Sequence, residues 1–119
     1  RVFIDSPCTG LGTLRRHADI RWRLRPETIA ESAELDARLL ESAASHVAPG
    51  GILAYATCTV THEENADAVE AFLATEAGAA FEVVPCRNPD LDIELPFFST
   101  VLEPGGPDAH FLALLRRKA

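Results

Sequence analysis

Two cysteines stand where apolar segments end, at positions where α/β proteins often place reactive groups. Cys8 follows the apolar segment 2–4, and Cys58 follows the apolar segment 52–57. Both segments are short and bounded by turn-forming residues, which predicts two buried strands. A thiol beyond the carboxyl end of such a strand faces the crevice where open α/β sheets bind ligands. Its thiolate could attack an electrophilic carbon.

Asp5 ends the first apolar segment and is the acidic group nearest to Cys8 in the sequence. One predicted helix joins the two strands, as in a right-handed βαβ unit, so the loops after both strands should meet at one edge of the sheet. A carboxylate and two thiols in one crevice could support covalent catalysis. From placement alone, Cys58 is equally well interpreted as a small core residue, and the core interpretation is favoured for Cys8 and for Cys86.

The elements that would position these groups alternate between strand and helix. The Thr61-x-x-Glu64 spacing has the form of a capping box and predicts a helix that stops at Gly78. The helix predicted before it covers 26–47, and Asp36 falls on the apolar face of that helix, where the sequence offers no explanation for it. The alternation of strands and helices predicts an α/β fold with a mostly parallel sheet and one late antiparallel strand. The predicted strands cover 2–4, 52–59 with Cys58 at the junction to the following turn, 81–85 and 110–115. The predicted helices cover 26–47 and 61–78, and 87–107 is a loop that could contain a short hairpin.

Composition limits the class of protein. A chain of 119 residues with 47% hydrophobic and 24% charged residues is typical of one globular domain. We find no apolar run long enough to span a membrane and no leader, so a cytoplasmic location is expected. Three cysteines without a CxxC pair, and four histidines without ligand spacing, predict neither a disulfide scaffold nor a metal site.

Charge is distributed unevenly along the chain. The net charge is −7, yet five arginines surround Trp22 between positions 14 and 26. An acidic body with one basic segment suits local contact with a polyanion, although a solvated loop is the simpler alternative. The candidate RNA-binding residues are Arg15, Arg16, Arg21 and Arg23.

Taken together, these motifs resemble the Sun (Fmu) family of RNA cytosine-5 methyltransferases. The resemblance is carried by the run DSPCTGLGTLRRH at 5–17, by ATCT at 56–59 and by EEN at 63–65. It implies that the chain is the C-terminal half of a Rossmann-like S-adenosylmethionine-dependent methyltransferase fold, with 1–119 the C-terminal portion of a single catalytic domain. Most of the S-adenosylmethionine site would then lie upstream, and the chain alone would be inactive.

The resemblance also implies roles for three residues. Cys58 matches the nucleophile that adds to C6 of a cytosine, after which C5 accepts the methyl group. Asp5 matches the aspartate that places the cofactor and hydrogen-bonds the base, and Cys8 matches a second cysteine that assists product release. The expected partner is ribosomal RNA, with 16S RNA as the expected substrate.

Several alternatives stay open at this point. The substrate could be transfer RNA, or the chain could be a non-catalytic RNA-binding or assembly module that keeps the scaffold. A thiol hydrolase is a weaker alternative, because no histidine is obviously paired with Cys58. We also expect the apolar strand at 2–4 to present an edge that could pair with a second copy of the chain.

Overall fold

Strands and helices alternate along the chain in the computed structural model, which describes residues 1–88 and 92–119. The strands are β1 (Val2–Asp5), β2 (Ile52–Thr57), β3 (Phe81–Val83), β4 (Cys86–Asn88), β5 (Ile93–Leu95), β6 (Phe98–Ser99) and β7 (Phe111–Arg117). The α-helices are α1 (Ile20–Arg23), α2 (Pro26–Ala44) and α3 (Ala66–Leu73), and single turns of 3₁₀-helix cover Leu11–Thr13 and Gly78–Ala80.

The main sheet has the strand order β1-β2-β7-β3. β1 and β2 pair in parallel, with Asp5 opposite Ala56. β7 lies antiparallel between β2 and β3, and β6 pairs with the first residues of β7. Within the part of the chain that the structure describes, β7 is therefore the one strand of this sheet that runs against the others. The predicted α/β fold, mostly parallel with one late antiparallel strand, is confirmed.

Helices α2 and α3 cover one face of the sheet. The alternation of β2 buries Leu53 and Tyr55 against Leu40 of α2 and Phe72 of α3, and all four side chains are at most 1% exposed. Burial of each side chain of this size contributes about 1.5–3 kcal/mol. Because two parallel strands and their connecting helix share this core, the loops that follow β1 and β2 are held at a fixed separation.

The predicted capping box is wrong. Helix α3 begins at Ala66 and ends at Leu73 rather than continuing to Gly78. The hydroxyl of Thr61 donates to the side chain of Glu64 at 2.5 Å, and Glu64 is fully buried. The carboxylate therefore points into the protein, where other loops supply its hydrogen-bond donors, instead of reaching back to cap a helix.

Two other features of the chain differ from or add to the predicted elements. The one-turn helix α1 lies in a segment for which the sequence pattern predicts a long loop. The hairpin suggested for 87–107 is present as the antiparallel pair β4–β5, although residues 89–91 lie outside the described residues.

Among the helices described, none is both long and apolar enough to cross a membrane.

Asp36 acquires an explanation from the fold. It is fully buried on the inner face of α2 and accepts a hydrogen bond from the hydroxyl of Ser6, in the loop after β1. Burial raises the pKa of this carboxyl group, which favours its neutral form. Within the described structure its Oδ2 atom has no hydrogen-bond partner. Asp36 thus fastens the loop after β1 to α2.

Candidate active site

The loops that follow β1 and β2 meet at the carboxyl edge of the sheet. The N–H of Ser6 donates to the carbonyl oxygen of Ala56 at 2.9 Å, which extends the parallel pairing just beyond β1. Beyond that point the Sγ atoms of Cys8 and Cys58 lie 3.4 Å apart. The structure therefore brings together the two thiols that lie fifty positions apart in the sequence.

Both thiols line a cleft of about 680 Å³, and Asp5 lies on the same wall. Asp5 is exposed, whereas both cysteines are half-buried. His17 and His110 also line the cleft, although sequence reasoning assigned neither of them to the site. Of the residues described, no three His, Cys, Asp or Glu side chains form a group that could hold a metal ion. The cleft thus offers thiol, carboxylate and imidazole chemistry.

The thiol of Cys8 is held in its protonated form by its surroundings. Burial raises the pKa of the Cys8 thiol from 9.0 to about 12, with a further upward contribution from the Cys58 side chain. Cys8 therefore keeps its proton at neutral pH, and a protonated thiol is a poor nucleophile but a possible proton donor. The raised pKa makes Cys8 unsuitable for nucleophilic attack.

Backbone and side-chain hydrogen bonds fix the turn that carries Cys58. Thr57 donates its hydroxyl to the Oδ1 atom of Asn65 at 2.6 Å, and the Nδ2 atom of Asn65 donates to the carbonyl oxygen of Thr59 at 3.0 Å. Gly12 donates its N–H to the carbonyl oxygen of Cys58 at 2.9 Å. The residues on both sides of Cys58 are thus held, and the thiol lies in a rigid turn.

Two of the predicted RNA-binding arginines, Arg15 and Arg16, bind the same carboxylate, that of Asp108. The Nε atom of Arg16 donates to Asp108 at 2.6 Å, while Arg15 contacts the other oxygen of Asp108 at 3.3 Å and donates to the carbonyl oxygen of Gly106 at 2.6 Å. The hydrogen bond from Arg16, followed by that from Arg15, lowers the pKa of Asp108. These two arginines fasten the segment before β7, a role that the sequence did not reveal.

The other two candidate arginines belong to helix α1. Arg23 lines the cleft and also forms an exposed ion pair with Asp19 at 2.8 Å, while Arg16 lines the cleft beside it. The guanidinium of Arg21 lies 5.2 Å from the ring centroid of Trp22, and Trp22 is 80% exposed. Helix α1 therefore contributes Arg23 to the cleft and exposes Arg21 and Trp22 to solvent.

Comparison with known proteins agrees with this arrangement. A family model described as 16S rRNA methyltransferase RsmB/F matches residues 1–116. The chain is 41% identical to the ribosomal RNA small subunit methyltransferase B of Thermus thermophilus over 98% of its own length and 29% of that protein. It is 49% identical to the protein of that name from Klebsiella pneumoniae over 62% of its own length and 17% of that protein.

A solved structure has the same fold. The crystal structure of PH0851 superposes with a TM-score of 0.83 and 36% sequence identity, covering 98% of this chain and 26% of that one. This likeness shows a Rossmann-like methyltransferase fold for the chain. In each of these comparisons the chain spans less than a third of the length of the protein that it matches.

Proposed function

The chain belongs to the 16S rRNA methyltransferase RsmB/F family, and from this premise we propose that it carries the cysteine half of the active site of an RNA cytosine-5 methyltransferase. The proposed reaction is S-adenosylmethionine-dependent methylation of C5 of a cytosine in small-subunit (16S) ribosomal RNA. The chain spans 29% of its Thermus thermophilus relative. We therefore assign the activity to a longer protein whose upstream half supplies most of the cofactor site, and we expect residues 1–119 alone to be inactive.

The observation that carries this proposal is the 3.4 Å separation of the Cys8 and Cys58 sulfur atoms in a cleft that also contains Asp5. In the proposed mechanism the Cys58 thiol loses its proton and its sulfur bonds to C6 of the cytosine. The electrons of the C5–C6 double bond then move to C5, which becomes nucleophilic. After C5 has been methylated it loses its proton, the sulfur–C6 bond breaks, and the double bond forms again.

Cys8 acts at a different stage. Since burial keeps its thiol protonated, it does not compete with Cys58 for C6. Its sulfur lies close enough to that of Cys58 to contact the adduct and to assist release of the methylated base. In this proposal Cys58 attacks the base and Cys8 assists its release.

S-adenosylmethionine, when bound, supplies an electrophilic methyl group. The residues present fit part of such a site, because Asp5 places an exposed carboxylate on the cleft wall beside both thiols. That carboxylate can accept hydrogen bonds from the amine of the cytosine and can orient a cationic cofactor. Asp5 therefore has the placing role in our proposal, and the other cofactor contacts belong to the upstream half.

RNA is the partner that this surface fits. The target base must leave its stack to expose C5 and C6, and it would enter a cleft lined by Arg16 and Arg23. Arg21 is exposed on the same helix as Arg23. Arg15 lies farther along the same basic segment. With a small-subunit ribosomal RNA as the proposed substrate, we propose a cytoplasmic location for the reaction.

Two cysteine variants of the longer protein test the assignment. Cys58→Ala should abolish methyl transfer, since it removes the sulfur that adds to C6 and the remaining thiol of the cleft, that of Cys8, keeps its proton. Cys8→Ala should accumulate a covalent protein–RNA adduct, visible as a denaturant-resistant band. Cys86→Ala is the matched control, because Cys86 lies in β4 and does not line the cleft. Normal turnover by Cys58→Ala would refute the mechanism, and a base-resolved map of 5-methylcytosine in cells lacking the gene would identify the substrate.

A further inference from the structure

A buried carboxylate lies between the two cysteine loops. The side chain of Glu64 is fully buried. Its Oε1 atom accepts the N–H of Thr9 at 2.7 Å, and its Oε2 atom accepts the hydroxyl of Thr9 at 2.7 Å. The hydroxyls of Thr59 and Thr61 donate to Oε2 at 3.1 and 2.5 Å. Four donors therefore converge on this carboxylate, one on Oε1 and three on Oε2.

The residues that Glu64 binds are the immediate neighbours of the thiols. Thr9 follows Cys8 and Thr59 follows Cys58. The two threonine hydroxyls also lie 2.8 Å from each other. A carboxylate that holds the residue next to each cysteine restrains both Cα positions, and hence the separation of the two sulfur atoms.

We propose that Glu64 is a positioning residue that sets the distance between the sulfur atoms of Cys8 and Cys58. The role requires two accepting oxygens, one for the backbone of the first loop and one shared by hydroxyls of both loops. Glutamine at this position would keep one accepting oxygen and present an amide NH2 group to the hydroxyls, which would then have to accept hydrogen bonds instead of donating them. Alanine would leave the N–H of Thr9 buried without a partner.

The consequence of this positioning for methyl transfer rests on the proposed function, whereas the sulfur separation itself does not. The test therefore uses a probe that needs only two close thiols. Phenylarsine oxide condenses with a pair of thiols: two As–S bonds replace the As=O bond, and the two thiol protons leave with the oxygen as water. All variants are made in a Cys86→Ala background, so that Cys8 and Cys58 are the only thiols present.

We expect Glu64→Ala to be captured about tenfold or more slowly than the parent, with Glu64→Gln between them, because small displacements of reacting groups have large effects on rate. The rate is followed by intact mass. If Glu64→Ala fails to fold, Thr59→Val provides the same test by removing one of the hydroxyls that tie the second loop to the carboxylate. Capture at the parent rate by Thr59→Val or by a folded Glu64→Ala would overturn the proposal.

Tyr55→Phe is the matched control for a merely structural role. Tyr55 is fully buried and its hydroxyl donates to the backbone carbonyl oxygen of Glu64 at 2.6 Å, so this variant also loses a buried hydrogen bond to the same residue. It leaves the carboxylate and both loops in place, and its capture rate should stay within about twofold of the parent. If Tyr55→Phe slowed capture as much as Glu64→Ala, with similar urea midpoints, the effect would be one of stability and the proposal would fail.

A second experiment distinguishes failure of this positioning role from failure of the proposed function. In the longer protein, Glu64→Ala should lower kcat for methyl transfer while KM for RNA stays within about twofold, because Glu64 does not touch the substrate. Slow arsenical capture combined with normal methyl transfer would support the positioning role and contradict the cysteine mechanism.

Discussion

Gly12 donates its backbone N–H to the carbonyl oxygen of Cys58 at 2.9 Å, and it accepts the N–H of Ala109 at 3.0 Å. The three backbones are so close that a Cβ atom at position 12 would lie 2.7 Å from the oxygen of Cys58 and 2.2 Å from that of Ala109. Any side chain here would push the loops apart. Glycine is therefore required where the Cys58 turn meets the segment before β7.

Gly12→Ala should destabilise the chain by about 1–3 kcal/mol, the usual cost of forcing extra atoms into a packed site. Its Cβ atom would meet backbone atoms, which cannot rotate away. Urea denaturation followed by circular dichroism would measure the loss. The same variant should change the rate at which Cys58 reacts with iodoacetamide, because the turn that carries this thiol has to move.

Gly50→Ala is the control for Gly12→Ala. Gly50 has a φ of 75° but nothing within 4 Å of its potential Cβ atom, so alanine there should cost only about 1–2 kcal/mol of backbone strain. The alkylation rate of Cys58 should not change. Equal alkylation rates in the two glycine variants would show that the contact between Gly12 and Cys58 does not position the thiol.

Cys8 should resist alkylation in the folded chain. Burial raises its pKa from 9.0 to about 12, and the thiolate is the form that reacts with iodoacetamide. At about pH 9 we expect modification of Cys8 to be at least about tenfold slower in the folded chain than in the urea-unfolded chain. Peptide mapping by mass spectrometry distinguishes Cys8 from the other cysteines. Equal rates in the two states would contradict the raised pKa.

The same shift has a consequence for stability, and its sign is fixed by the direction of the shift. Because the folded-state pKa is above the unfolded one, the protonated thiol contributes stability that is fully present below pH 9 and is lost as pH rises towards 12. The free energy of unfolding should therefore decrease across this range. The decrease should be smaller in Cys8→Ala.

Local patterns account for what the sequence could predict. Apolar segments bounded by turn residues define β1 and β2, and the βαβ rule is sufficient to bring Cys8 and Cys58 to one edge of the sheet. The late antiparallel strand follows from the order of elements. These features depend on residues that are close in the sequence or on the chirality of strand connections, so they can be inferred without coordinates.

Long-range polar contacts account for what the sequence could not predict. The Thr61-x-x-Glu64 spacing has the form of a helix cap, but Glu64 takes two of its hydrogen bonds from Thr9, 55 positions away. Likewise, nothing local links Arg16 to Asp108, which lies 92 positions further on. One signal was present, since a Cys-Thr pair occurs at both 8–9 and 58–59. The threonines of these two pairs are the residues whose hydroxyls share the Glu64 carboxylate.

RNA affinity should depend on the arginines of helix α1. Arg21→Ala and Arg23→Ala should each weaken binding of a cytosine-containing single-stranded RNA. Each should also reduce the slope of log affinity against log salt by about 0.7 for every phosphate that the variant no longer neutralises. Fluorescence anisotropy at several salt concentrations gives both quantities. Arg15 and Arg16 are less suitable for this test, because removing either one also releases Asp108.

Arg38→Ala is the matched control, because Arg38 is an exposed arginine on α2 that does not line the cleft. It removes the same charge from a chain whose net charge is −7, so a non-specific effect of charge would appear in all three variants. Salt slopes that are unchanged in Arg21→Ala and Arg23→Ala would remove helix α1 from the RNA interface.

The exposed edge of the sheet should allow the 119-residue chain to associate with itself. Among the described residues β1 pairs only with β2, and Phe3 is 65% exposed beside an apolar depression of about 420 Å³ that Ile52, Ala54 and Leu114 also line. Unpaired strand edges with apolar side chains favour pairing between copies, and a lysine on the edge opposes it. We expect sedimentation velocity to show concentration-dependent dimers for the parent chain and monomers for Phe3→Lys.

Val101→Lys, which changes a 67% exposed apolar residue outside the strands, should associate like the parent. A parent chain that stays monomeric at all concentrations, or a Val101→Lys variant that dissociates as Phe3→Lys does, would rule out β1 as the surface of association.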